Sequence, residues 1–267
     1  MAGSEDKINN YTLGRGELHF AMYKPGTTTP GGERYLGNSP ELSYSATQET
    51  LDHYNSDRGV RVKDASVTLQ QDYAGAVSLD DIDMKNLAMF FLGDASTLTV
   101  ASRTVAAEPI TGVELGLSYQ LGTSANDPAG VRQVSAVTIT NSTTPANTPV
   151  AGTDYVLDAV RGRITVLEGA TKIAAGDNLS VAYTVDASTR DQVISKSKTI
   201  EGSLRYIANN PAGKNIDYFM PRVKLTPNGD FNIKGDDWQV LPFTLEILKK
   251  GALEAIYADG QPYNPAP

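Results

Sequence analysis

The sequence predicts a mainly β protein with one helix, in which a small β domain is inserted into a larger body. Three observations predict it. Apolar and polar residues alternate with a period of two in run after run. Leu87 to Leu92 is the end of the one strong helical stretch and is apolar all round. Between Ala106 and Asp186 the composition shifts to Thr, Ala, Gly and Val, with none of the six Phe and not the single Trp.

Glu17 to Met22 opens the pattern, with Leu18, Phe20 and Met22 alternating against Glu17, His19 and Ala21. Pro25 to Gly32 reads as a turn-rich loop and Arg34 to Gly37 as a short extended piece. Glu41 to Ala46 is a second strand through Leu42, Tyr44 and Ala46. Thr47 to Gly59 is polar, shows little periodicity and is expected to project as a loop. A long strand follows from about Val60 to Tyr73. Its apolar residues change parity between Val62 and Ala65, so a β-bulge near Asp64 would restore one inward face. The helix is expected at 79–92, with Ser78 as cap, Asp80, Asp81 and Asp83 complementing the positive end of its dipole, and Gly93 closing its C-terminus.

Within the compositionally light stretch, short β runs recur at Val134 to Thr140, Tyr155 to Leu157, Arg163 to Leu167 and Leu179 to Val185, with turn residues between them. That is the pattern of a small β-sandwich. The heavier pattern resumes in Ile200 to Ile207, Asp217 to Leu225, Trp238 to Leu248 and Leu253 to Tyr257. The expected organisation is a first body segment at 1–105, the insertion at 106–188 and the rest of the body at 189–267. Phe20, Phe90 and Phe91 before the insertion, with Phe219, Phe231, Trp238 and Phe243 after it, are expected to supply one discontinuous core.

Composition narrows the function classes. The absence of cysteine removes disulfides, zinc–thiolate sites and thiol nucleophiles together. A formal charge of −8 opposes tight binding to a phosphate backbone. No run approaches a membrane span, and MAGSEDKINN lacks the basic and apolar regions of a secretory signal, so a soluble, non-exported chain is expected. Without export, the glycosylation triplets at Asn10, Asn141 and Asn178 are chance matches.

No catalytic or metal constellation emerges, and neither enzyme activity nor a cofactor is expected. His19 and His53 are the only histidines, and neither has a second ligand at helical or hairpin spacing. Asp230, Asn232 and Gly235 fit the first, third and sixth positions of a calcium loop. Lys234 occupies the fifth, where an oxygen belongs, and Leu241 the twelfth, where a bidentate Glu belongs, so a β-turn is the better reading. GNSPE at Gly37 to Glu41 is no nucleophile elbow, and Gly14-Arg15-Gly16 does not continue as a dinucleotide fingerprint. Lys196 and Lys198 read as an exposed strand end or, alternatively, as partners of a neighbour's acidic residues.

Leu36 to Asp94 (LGNSPELSYSATQETLDHYNSDRGVRVKDASVTLQQDYAGAVSLDDIDMKNLAMFFLGD) resembles the N-terminal half of the major tail tube proteins of long-tailed bacteriophages. Met220 to Lys250 (MPRVKLTPNGDFNIKGDDWQVLPFTLEILKK) resembles that family's C-terminal strands. The resemblance lies in the order and character of segments and covers the body, not the insertion. It implies a β-sandwich or barrel with one flanking helix, and subunits in hexameric rings stacked into a hollow tube that conducts DNA without gripping it. Tape measure, tail tip and tail terminator proteins are its implied partners, and the virion tail, assembled in the host cytoplasm, its implied location.

The family's long loop after an early strand bridges subunits and rings. By position it matches Gln48 to Arg58 here, which nominates Gln48, Glu49, Asp52, His53, Tyr54, Asp57 and Arg58 as stacking contacts. Leu87, Phe90 and Phe91 fit either the core or a ring interface. The inserted Gly152 to Thr189 stretch resembles repeats of other phage tail proteins, which implies a place on the outer tube surface. Two other classes compete: a β-sandwich binding module or adhesin, and a type VI secretion-like tube protein.

Overall fold

Period-two alternation at the start of the chain becomes β1 (Gly16–Met22), and the same logic recurs through the molecule. The structure, a computed structural model, describes residues 11–57 and 59–261. After β1 come β2 (Arg34–Tyr35), β3 (Glu41–Asn55), β4 (Val62–Leu79), helix α1 (Met84–Phe90), β5 (Asp94–Val100), β6 (Arg103–Ile110), β7 (Ser118–Gln120) and β8 (Val134–Asn141). They are followed by β9 (Tyr155–Asp158), β10 (Arg163–Val166), β11 (Leu179–Val185), β12 (Ser188–Ile194), β13 (Ile200–Ala208), β14 (Ile216–Pro227), β15 (Leu241–Ile247) and β16 (Tyr257–Gly260). The chain is mainly β. It divides into two units, one built from residues up to Ser96 and from Gln192 onward, the other from Thr97–Asp191.

The larger unit is an eight-stranded antiparallel sheet in the order β2-β1-β13-β14-β15-β4-β3, with β16 added to β14. Its strands come from both flanks of the insertion. Leu18 of β1 pairs with Tyr206 of β13, and Phe243 of β15 with Val77 of β4, so neither flank can complete the sheet alone. In β15, Leu241, Phe243, Leu245 and Ile247 are buried while the residues between them are not. They pack with Leu18, Phe20, Leu204, Met220 and Leu225 into one core, beside which α1 lies. The sheet curls over this core: Tyr44 on β3 and Tyr218 on β14, with two strands between them in the order, bring their ring centres to 6.1 Å.

The smaller unit holds two three-stranded sheets, β7-β10-β9 and β6-β11-β8. It starts ahead of the compositional change at 106 because β6 pairs along β11, from Val185↔Arg103 to Leu179↔Ile110. Its core is Val113, Leu121, Ile139, Ile164, Val166, Leu179, Val181, Tyr183 and Val185. The chain crosses into and out of it in β5 and β12, which pair as a two-stranded sheet.

Several expectations are corrected. The helix is shorter than 79–92, because Ser78 and Leu79 remain in β4, where they pair with Pro242 and Leu241. Asp83, not Ser78, is the cap: its carboxylate accepts from the Asn86 N–H at 2.5 Å. Asp80 instead accepts from Asn38, and the Asp81 carbonyl from the Asn86 side chain. At the other end Leu92, with φ 51, takes the left-handed position. The Leu92 and Gly93 N–H groups donate to the Met89 and Ala88 carbonyls, the Schellman arrangement. Gly93 is needed for closeness, since a Cβ there would collide with the Ile194 carbonyl oxygen.

Trp238 does not join the core but is 94% exposed, in the 228–240 connection that precedes β15. Phe91 is partly exposed, and Phe219 lies under the Arg205 guanidinium at 4.5 Å. Lys196 and Lys198 both pair with Asp94 of the same chain.

Candidate functional site

The main correction is also the main candidate site. Thr47 to Gly59 is not a polar loop. β3 continues to Asn55 and β4 begins at Val62, so the two strands form one long hairpin closed by a short turn. From Ser78 to Tyr73, β4 is held on both sides, by β15 and by β3. Beyond Tyr73 only β3 remains. Thr47–Asn55 and Val62–Asp72 therefore form a two-stranded arm, which at about 3.3 Å per residue extends about 30 Å. Between Thr47 and Asp72, every described residue except the half-buried Asp52 is exposed.

Directly paired residues share a face of a sheet, so the register assigns the arm's two sides. On one side lie Glu49/Gln70, Leu51/Val67, His53/Ala65 and Asn55/Val62. On the other lie Gln48/Gln71, Thr50/Thr68, Asp52/Ser66 and Tyr54/Lys63. The second side continues the core face of β3, where Leu42 and Tyr44 sit. The apolar Leu51/Val67 pair is on the opposite side, 63% and 60% exposed. Register shifts leave Leu69 and Asp64 unpaired as bulges. The bulge at Asp64 is the one the alternation predicts, but the face it restores is directed to solvent.

Of the nominated stacking residues, Gln48, Glu49, Asp52, His53 and Tyr54 lie on β3 and Asp57 in the turn; Arg58 lies outside the described residues. They divide between the two sides, so they form no single patch. Cross-strand polar contacts hold the arm together. The Asp52 carboxylate accepts from Lys63 Nζ at 2.6 Å and from Ser66 Oγ at 2.7 Å, which pull its pKa below the usual carboxylate range. Asp64 Oδ1 meets His53 Nδ1 at 2.5 Å, and the Arg61 guanidinium lies 5.5 Å from the Tyr54 ring. Exposed contacts of this kind contribute little each, and an isolated hairpin is marginal in water.

Two further features of the larger unit escape sequence reasoning. A groove of about 810 Å³ opens between the Gly14–Leu18, Asn38–Tyr44 and Tyr206–Tyr218 segments. Tyr44 lines it, and the Tyr44 hydroxyl is buried without a hydrogen-bond partner among the described residues. Burial first, then Tyr218 and Tyr206, pushes its pKa up. Such an orphaned group costs about 1–3 kcal/mol. The second feature is the 228–240 connection. Its Phe231 ring packs 5.7 Å from Phe90, while Ile233 and Trp238 stand in solvent. The connection carries no strand, and the groove is assembled from strand ends and turns far apart in the chain, so no local pattern marks either place.

Among the described residues, no group of three His, Cys, Asp or Glu side chains is gathered as a metal site needs, and no helix is long and apolar enough to cross a membrane. No curated protein matches the chain. A family model described as Protein of unknown function UCP028589 matches residues 11–255, which span the larger part of both units, and the chain belongs to that family.

Proposed function

We propose that this chain is a structural subunit of a phage tail tube, joining copies of itself into stacked hexameric rings around a hollow conduit for DNA. The observation that carries the reading is the β arm. A hairpin reaching about 30 Å from its sheet, with Leu51 and Val67 paired on one exposed side, gains stability from a surface it does not meet among the described residues of its own chain. A second copy supplies such a surface.

The open edge of the sheet supports the same reading. Among the described residues β3 has β4 as its only strand neighbour, whereas the outer edge of β1 is capped by β2 and by the Leu36 and Gly31 N–H groups, which donate to the Leu18 and Met22 carbonyls. Unpaired edges are templates for pairing with another chain, and a closed ring of subunits satisfies them without leaving one free. The charge of −8 suits a conduit, since phosphate slides past a surface that does not bind it. Tape measure, tail tip and tail terminator proteins are the further partners in this reading, and the virion tail its location.

Negative-stain electron microscopy over a concentration series, with and without a tail-tip complex as initiator, tests the proposal. Hollow sixfold rings or tubes are expected. A monodisperse monomer at every concentration that tip complex also fails to seed would favour a β-sandwich binding module instead.

A further inference from the structure

β14 connects two features of opposite chemistry. It begins at Ile216 beside the groove and ends at Pro227, where the 228–240 connection starts. At the far end the indole of Trp238 is 94% exposed, directly after the exposed Asp236 and Asp237. A large apolar ring held in water beside two carboxylates is an unfinished contact.

The groove is its complement. Tyr44, Tyr206 and Tyr218 wall it, with Tyr206 and Tyr218 rings 6.2 Å apart. Arg15 and Lys214 bring two cations against the single carboxylate of Glu41. Neither cation makes a salt bridge among the described residues.

We propose that the groove receives the Trp238 connection of a second copy of this chain. Aromatic walls take the indole, and Arg15 and Lys214 face Asp236 and Asp237. Within its own chain Trp238 stands in solvent, so a chain does not fill its own groove. The contact is head-to-tail, the kind that propagates from copy to copy. It specifies one joint of the self-assembly proposed above and rests on that reading, although it uses none of the arm.

Trp238 is the only tryptophan, so its fluorescence reports this joint directly. Over a concentration series of the full chain, its emission should move to shorter wavelength and its quenching by acrylamide fall several-fold as copies associate. Arg15→Glu with Lys214→Glu should abolish the change. Adding Asp236→Lys and Asp237→Lys to that same chain should restore it, which a misfolded groove would not allow.

Particles visible by electron microscopy with Trp238 still fully quenched would overturn the groove contact and leave the tube reading standing. A shift that survives charge reversal at the groove would place Trp238 elsewhere and overturn it as well. No association under any condition, tip complex included, would remove both proposals.

Discussion

The two units solve the same problem with different materials. The larger one buries Phe20, Phe243, Met220 and a set of leucines on one face of a curled sheet. The smaller one has neither Phe nor Trp and fills its core with Val, Ile, Leu and two tyrosines. It compensates with buried polar groups, each fully engaged. The Asp154 carboxylate, 0% exposed, accepts from the N–H groups of Val150, Thr171 and Lys172 and from the Thr171 hydroxyl. Asn141 and Asp177 hydrogen-bond each other and tie down the backbone at Thr143, Thr144 and Ala174. Light side chains leave loops that packing alone does not fix, and satisfied polar networks fix them.

The comparison breaks most visibly at Phe243. Its ring is 2% exposed and meets Phe90 edge-on at 5.8 Å, so Phe243→Ala should cost about 3–5 kcal/mol. Hydrogen exchange resolved by strand is the measurement, with protection lost in β4, β14 and β15. Equal loss in β11 would mean that the two cores act as one cooperative block and would erase the distinction.

Asp154 is the matching test for the smaller unit. Asp154→Ala removes the acceptor for three backbone N–H groups and should cost on the order of 3 kcal/mol. Burial alone would raise the pKa of this carboxyl, but the N–H donors of Val150, Lys172 and Thr171 outweigh it and hold the pKa below its ordinary 3.8. The folded state therefore binds this proton more weakly than the unfolded one. The stabilisation is fully present above about pH 5 and is lost as pH falls through the unfolded and then the folded value. Urea midpoints at pH 6 and at about pH 3 should fall less for Asp154→Asn than for the natural chain. Equal slopes would assign the acid sensitivity to other carboxylates.

How much of this was legible in the sequence follows from where one face of a strand is buried. β11 and β15 alternate because each packs one face on a core; β1, β11 and β13 begin and end within a residue of where the sequence places them, whereas β15 starts three residues after Trp238. Residues 47–55 look like a loop because both faces of the arm meet solvent and nothing selects a period. Leu51 and Tyr54 sit on opposite sides of it. Trp238 misleads for the converse reason. A lone aromatic near a strand reads as core, and only the two preceding aspartates hint that it stays in water. The groove had no signal, since Arg15, Tyr44 and Lys214 meet only once the sheet has curled.

The smallest expected effect on stability carries the largest expected effect on assembly. Leu51→Ser with Val67→Ser changes a pair already in solvent, so the folded single chain should shift by no more than about 0.5 kcal/mol. If a second copy covers that side of the arm, each side chain forfeits apolar burial worth about 1.5–3 kcal/mol. The concentration needed for assembly should then rise at least about tenfold, the equivalent of about 1.4 kcal/mol. Light scattering across a dilution series measures it. Gln48→Ala with Gln71→Ala alters the opposite side of the same arm and should leave that concentration near its original value. An equal response to the two double substitutions would mean that the arm acts by its length alone, and that the sidedness created by its two bulges has no part in assembly.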